Sequence, residues 1–150
     1  MDTVRPANID DLVRCAELLG VLFSQEREFT PDPVAQRKGL EMILKKPETG
    51  AVFVYEAYGV LQGMVVILFT ISTALGDKVA ILEDMVVAPD LRGKGLGASL
   101  VKYAMDYAID QGCRRITLLT DHNNEAAHTF YHMHGFTKSD MVVFRKLSGS

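Results

Sequence analysis

The sequence predicts an α+β domain, with a mixed, mostly antiparallel central sheet flanked by helices on both faces. Three observations carry this. Apolar residues recur at helical spacing in two long stretches, at 9, 12, 13, 16, 19, 22 and 23 and again at 96, 100, 101, 104, 105, 108 and 109. Between these stretches, "AVFVYEAY" and "VLQGMVVILFTIS" follow one another and meet near Gly59, the pattern of a hairpin. The second run is apolar without interruption through its middle, as in a strand covered on both faces. Helical stripes alternating with strands and hairpins give a layered fold.

The elements follow in order. "DTVRPA" reads as a short first strand. Asn8 is a suitable N-cap for the helix beginning at Ile9, and Asp11 in its first turn meets the positive end of the helix dipole. "TPDP" (Thr30–Pro33) breaks the chain, and a shorter helix over about Val34 to Lys45 ends before Pro47. The hairpin follows, then a strand "KVAILEDMVVAP" closed by Pro89. The helix from Leu96 stops at Gln111–Gly112. "RRITLLT" is a strand. "NNEAAHTFYHMHG" is a helix capped by Asn124 and stopped by Gly135, and "FTKSD" and "MVVFRKL" are expected to close the sheet as a final pair.

A chain of 150 residues with 48% hydrophobic and 23% charged residues has enough apolar matter for one domain with a real core, expected over 1–147, with 148–150 as a short tail. The net charge of −3 argues against nucleic acid as the main partner, which would require a basic face. The longest apolar run, Met64–Phe69, is too short to cross a bilayer. Cys15 and Cys113 form neither a disulfide framework nor a zinc-ligand pattern and read as buried thiols. With no secretory leader, a cytoplasmic location is expected.

Between the fourth strand and the long helix lies "RGKGLG", three alternate glycines and two cations on one helix turn. Glycine costs about 1 kcal/mol relative to alanine inside a helix. Bare backbone at a helix N-terminus lets an anion reach the unpaired N–H groups without meeting a Cβ. Arg92 and Lys94 add positive charge, so the turn reads as a pyrophosphate cradle. The G-x-x-x-x-G-K-[ST] pattern is absent. So is G-x-G-x-x-G, whose last glycine would fall on Ala98 or Leu100.

What remains, R-x-x-G-x-G after a strand ending "VVAP", resembles the acetyl-coenzyme A site of the GNAT superfamily of N-acetyltransferases. The later "NNEAAHTFYHMHGF" is similar to that family's N-x-x-A-x-x-x-Y-x-x-x-G-F segment, with Asn124, Ala127, Tyr131, Gly135 and Phe136 in place. The two segments lie between residues 81 and 136.

The resemblance implies direct attack of a primary amine on the thioester of acetyl-CoA, with no covalent enzyme intermediate. It places the cosubstrate on Arg92, Gly93, Lys94, Gly95, Leu96, Gly97 and Ala98. It also implies that backbone groups of Met85, Val86 and Val87 pair with the pantetheine arm and polarise the acyl carbonyl. Tyr131 matches the tyrosine near the coenzyme sulfur, where its hydroxyl donates to the departing thiolate or orients it. Asn124 caps its helix and bonds the coenzyme arm, with Asn123 as the alternative one residue away. Glu83 is the candidate base, directly or through water. Strand alternation sends Glu83 and Asp84 to opposite faces, so only one is expected to face the acceptor.

His122, His128, His132 and His134 crowd the later segment, but "HTFYH" lacks the glutamate of H-E-x-x-H, and no metal is expected. The alternative to an enzyme is a non-catalytic acyl-CoA sensor on the same fold; a nucleotide-phosphate binder is disfavoured by the missing glycine spacings. The acceptor, a small molecule or a peptide amine, is not written in the motifs. The acidic "SQEREFTPDP" loop is suited to a cation or simply to solvent. Dimerisation is common in the family, and a homodimer is an open expectation.

Overall fold

A computed structural model describes residues 3–26 and 28–149. Asp2 of the predicted first strand and Ser150 of the predicted tail lie outside the described residues. β1 (Thr3–Pro6) leads to Asn8, whose side chain accepts from the Asp10 N–H at 2.9 Å while the Asp11 carboxylate accepts from the Asn8 N–H at 2.8 Å. Asn8 is the predicted N-cap, and Asp11, expected only as a first-turn acid, completes a reciprocal cap; the turn it starts, Ile9–Asp11, is a 3-10 helix, and α1 runs Leu12–Gln25. Arg5 locks the corner. It donates to both Asp11 oxygens (2.8 and 3.1 Å) and to Glu56 (2.7 Å), and its guanidinium holds the Asp11 carboxyl below the usual carboxylate range.

α2 (Pro33–Lys45) starts where Asp32 accepts from the Ala35 N–H at 3.2 Å and Pro33 takes the first position, which needs no N–H. β2 (Gly50–Ala57) and β3 (Val60–Ser72) form the predicted hairpin. Its two turn residues, Tyr58 (φ +53°) and Gly59 (φ +76°), are both left-handed, as a tight hairpin requires. β4 (Asp77–Val87), a 3-10 turn (Pro89–Leu91), α3 (Leu96–Asp110), β5 (Ile116–Leu118) and α4 (Glu125–Met133) complete the order.

The sheet runs β1-β2-β3-β4-β5. The first four strands are antiparallel, and α3 is the crossover that makes β4 and β5 parallel. Leu12, Leu18 and Leu40 from α1 and α2 cover one face, against Val54, Met64 and Val66. Leu100, Val101 and Ala104 of α3 cover the other, against Phe53, Val65 and Ile67. Met64 and Val65, adjacent on β3, are both 0% exposed, so β3 is buried on both faces as its unbroken apolar run predicts. Each such side chain contributes about 1.5–3 kcal/mol relative to exposure.

The predicted closing pair does not form in this chain. Residues 137–149 carry no strand and are all exposed. A strand needs an edge to pair with, and the edge on that side, β5, is three residues long. Among the described residues no helix is long and apolar enough to cross a membrane.

Gly50 opens β2 where a Cβ would lie 2.1 Å from the Ile67 carbonyl oxygen, which belongs to backbone that cannot swing away. Gly50→Ala is therefore expected to destabilise the fold by about 1–3 kcal/mol, read as a lower urea midpoint at unchanged slope.

Candidate active site

The site begins at an irregularity in β4. Ile67 of β3 pairs with Leu82, but the next residue, Val66, pairs with Asp84, so Glu83 is an extra residue in the ladder. A β-bulge of this kind reverses the facing of everything beyond it. Ala80 and Leu82 face α3, and beyond the bulge so do Met85 and Val87. Val86 turns toward α1 and α2, and Asp84 with it. This corrects the expectation that Glu83 and Asp84 point to opposite faces: both line one cavity, because the extra residue breaks the alternation that expectation assumed.

That cavity, about 310 Å³, lies between α1, α2 and β4. Leu19, Phe23, Leu40 and Ile43 form its apolar wall, with Glu83, Asp84 and Asp32 as its acids. Glu83 is exposed and Asp84 half-buried. Burial pushes the Asp84 carboxyl up to about 7, with the charges of Glu83 and Glu26 adding to the effect. Glu26, at the end of α1, is also raised by burial and by the charges of Asp121 and Glu83. A carboxyl poised near neutrality in a cleft is the usual mark of a group that exchanges protons in function.

At the same point β4 loses its second neighbour. β5 pairs only with Ala80, Ile81 and Leu82, whereas β3 stays paired through Val87. Met85, Val86 and Val87, the predicted arm-binding residues, therefore have one edge without a strand beside it. The glycine turn follows. Gly93 (φ +79°) and Gly95 (φ +86°) are left-handed, and a Cβ at either would point into open space. Gly95 is the N-cap of α3 and has no side chain to offer, so the N–H groups of Leu96, Gly97 and Ala98 lack a capping partner. Gly97 is helical instead, and a Cβ there would come within 3.5 Å of Phe130 and 3.7 Å of Met85. Lys94 is exposed at the turn. Arg92 folds back: its Nε donates to the Val87 carbonyl at 3.3 Å. With the Gln25 carboxamide oxygen facing the guanidinium, that oxygen accepts from both terminal nitrogens at 2.9 and 3.1 Å.

Tyr131 comes from α4 on the α3 side of the sheet. Its ring packs edge-on to Phe130 (5.1 Å) and Phe136 (5.7 Å), and burial pushes its hydroxyl up to about 12. Among the described residues nothing bonds that hydroxyl. Asn124 is the N-cap of α4, its side-chain oxygen accepting from the Ala127 N–H at 3.1 Å. His128 Nε2 lies 3.0 Å from the Asp121 carbonyl oxygen, and the His134 ring packs on Phe130. Among the described residues no three potential ligands gather as a metal would need. Gln25 escaped the sequence reading, and Phe23 was read only as part of the helical stripe, because helical periodicity marks a buried face but not which partner crosses the gap.

A mixed sheet parts beside an uncapped glycine turn, with a half-buried carboxyl on one face and a tyrosine on the other. A family model described as the acetyltransferase (GNAT) family matches residues 12–136, and the chain belongs to that family. Over 143 residues, 93% of each chain, it is 31% identical to the uncharacterized N-acetyltransferase YhfO of Bacillus subtilis. It is 30% identical to the uncharacterized N-acetyltransferase MJ1207 of Methanocaldococcus jannaschii, and there it spans only 62% of the relative's length. Among solved structures, its fold matches a possible acetyltransferase from Clostridium difficile with a TM-score of 0.88, at 18% identity over 100% of this chain and 99% of that one. The protein is an N-acetyltransferase.

The Asp84 shift has a consequence for stability. A carboxyl that titrates near 7 when folded and near 4 when unfolded binds more protons in the folded state between those values. The folded state therefore loses stability as pH rises through that window. Asp84→Asn is expected to raise Tm by a few degrees at pH 8 and to match the parent near pH 4. An equal difference at both pH values would mean the buried charge is not its source.

Proposed function

We propose that the protein moves an acetyl group from acetyl-CoA to a primary amine carried on an apolar stem, with Asp84 as the base. The observation that carries this reading is the position of Asp84. It is a half-buried carboxyl pushed up to about 7 that lines an apolar cavity, beside the point where β4 loses a neighbour.

The glycine turn suits the cosubstrate. The uncapped N–H groups of Leu96, Gly97 and Ala98, with Lys94 and a released Arg92, would hold a pyrophosphate. The bare edge of Met85–Val87 would hold the pantetheine arm, and its N–H groups would polarise the acyl carbonyl. Asn124 keeps its amide N–H free for the arm while its oxygen caps α4. A cytoplasmic setting fits the two free, buried cysteines.

An alkylamine, with a pKa near 10.4, arrives as an ammonium ion, and Glu26, Glu83 and Asp84 supply the field that draws it in. Asp84 takes one proton from the ammonium nitrogen, the freed lone pair attacks the acyl carbon to form the C–N bond, the nitrogen of the adduct gives up its second proton to solvent, and the C–S bond breaks. Tyr131 favours a hydrogen-bonding role over outright proton transfer. With its hydroxyl at about 12, giving a proton to a thiolate of pKa near 8.5 is uphill. Tyr131 therefore stabilises the leaving sulfur, which takes its proton from solvent.

Thiol release from acetyl-CoA, followed with a panel of amines, tests the reading: alkyl- and arylalkylamines are expected to outpace amino sugars of similar size. Coenzyme binding with no amine-dependent thiol release would leave a non-catalytic acyl-CoA sensor. The kcat/KM of the best amine should climb through a limb near pH 7. Asp84→Asn should lose about 10²-fold or more together with that limb. Glu83→Gln should keep most activity and move the limb downward, because the Glu83 charge helps raise Asp84. The reverse pattern would give the base role to Glu83.

Gly95→Val is expected to weaken coenzyme A binding at least ten-fold by calorimetry, through a side chain over the N–H groups and a strained φ. Gly76→Val, at another left-handed turn with open space (φ +66°), should leave affinity unchanged.

A further inference from the structure

We propose that Gln25 is a positioning residue for the cosubstrate: it holds the Arg92 guanidinium on the end of α1 and the Val87 carbonyl, and yields it to a pyrophosphate in the glycine turn, a role that rests on the reading of that turn as a pyrophosphate cradle. Gln25 is the last residue of α1, and Arg92 stands at the head of the glycine turn. The Gln25 oxygen accepts from both terminal nitrogens of Arg92 at 2.9 and 3.1 Å, and the Val87 carbonyl accepts from Nε at 3.3 Å. All three nitrogens of the guanidinium are therefore engaged, and all of them away from the N–H groups of Leu96, Gly97 and Ala98.

The partners are neutral, and that is the telling feature. Arg5 meets the Asp11 carboxylate at 2.8 Å and Arg145 meets Glu28 at 2.9 Å. Among the described residues no carboxylate pairs with Arg92. A guanidinium held by an amide and a carbonyl oxygen keeps its full charge. A hydrogen bond between two ionised groups is about twice as strong as one between neutral groups. A phosphate oxygen thus outcompetes Gln25 and Val87 for the same nitrogens, whereas it would gain little over a carboxylate already in place. The end of a helix favours a nearby cation, which gives the guanidinium a resting place without a counter-charge.

The held position withholds two things at once. The guanidinium is the charge that a pyrophosphate needs, and the Val87 carbonyl is an acceptor on the bare edge of β4, where the amide N–H groups of a pantetheine arm would bond. One side-chain movement supplies both. Gly93 and Gly95 leave open space where their side chains would stand, so the turn itself puts nothing in the path. Gln25 and Arg92 are both exposed, so their contact adds little to the fold. Its effect lies in the competition. A bond that is made without the anion and broken with it subtracts its free energy from anion binding. Loss of Gln25 therefore strengthens coenzyme binding. A contact that only supported the shape of the turn would have the opposite sign or no effect.

Calorimetric titration of coenzyme A into the full chain at low salt tests this. Gln25→Ala is expected to bind coenzyme A about two- to five-fold more tightly than the parent. Gln25→Met, which keeps the length of the side chain and removes the acceptor oxygen, should match it. Gln25→Glu turns the tether into an ion pair and should bind about two- to five-fold more weakly. In an Arg92→Ala background, Gln25→Ala should change nothing, because the group it competes for is gone. Unchanged or weaker binding by Gln25→Ala and Gln25→Met overturns the proposal, and so does an equal gain with and without Arg92. Weaker binding by Gly95→Val together with parental binding by Gln25→Ala removes the tether and leaves the cradle. Parental binding by Gly95→Val removes the cradle and the tether with it.

Discussion

β4 has two strand neighbours along its first half and one along its second, and the rest of the site depends on that loss. β3 follows β4 to Val87 while β5 stops at Leu82. The bulge at Glu83 falls at the same place, so the strand turns its facing where it loses its partner. Beyond Leu82 the β5 side of β4 has no strand beside it. The two groups near that bare edge lie on opposite faces: Asp84 sits in the cavity under α1 and α2, and Tyr131 is packed among aromatic rings on the α3 side.

Two aspartates show how environment sets the chemistry of one residue type. Asp11 is nearly buried, but Arg5 meets both its oxygens and the Asn8 N–H meets one, so its carboxyl is held low and acts as a structural anchor. Asp84 is less buried and has only acids near it. Desolvation is the larger cause of its rise and repulsion from Glu83 and Glu26 the smaller. An arginine at the mouth of the cavity would reverse the sign, as Arg5 does for Asp11. Arg92, the cation near α1, is turned away toward Val87 and Gln25. The glycine turn at the start of α3 contributes no residue to the acidic cavity.

Much of this fold was legible because helical stripes, caps and tight turns are local. The Asn8 and Asn124 caps and the Gly59 turn follow from residue types in short windows; the three glycines, expected on one helix turn, do not share it, because Gly93 and Gly95 are left-handed ahead of α3 and only Gly97 is helical. The bulge was not legible. "ILEDMVV" keeps a sensible apolar pattern with or without an extra residue, and only pairing with β3 decides that Glu83 is the residue set aside. Asp84 was legible only as the alternative to Glu83; its environment was not, since its burial comes from α1 and α2, dozens of residues away in the chain. The closing strands show the converse: the β-propensity of "MVVF" was readable, but a strand is defined by its partner, and propensity carries no information about whether an edge is there to pair with.

The three glycines of the turn carry different loads, and the difference ties the cradle to the chemistry. Gly93 and Gly95 provide a backbone conformation that other residues resist, with open space where a side chain would stand. Gly97 has an ordinary helical conformation, and its value lies in what it lets approach: Phe130 of α4 and Met85 of β4 both come to the space above its Cα. Phe130 stands next to Tyr131 and packs against its ring. A larger residue at 97 would push on a contact that joins α3, α4 and β4, and through Phe130 on the ring of Tyr131. Bare backbone at this turn therefore has two separate uses, a left-handed conformation at 93 and 95 and close packing at 97.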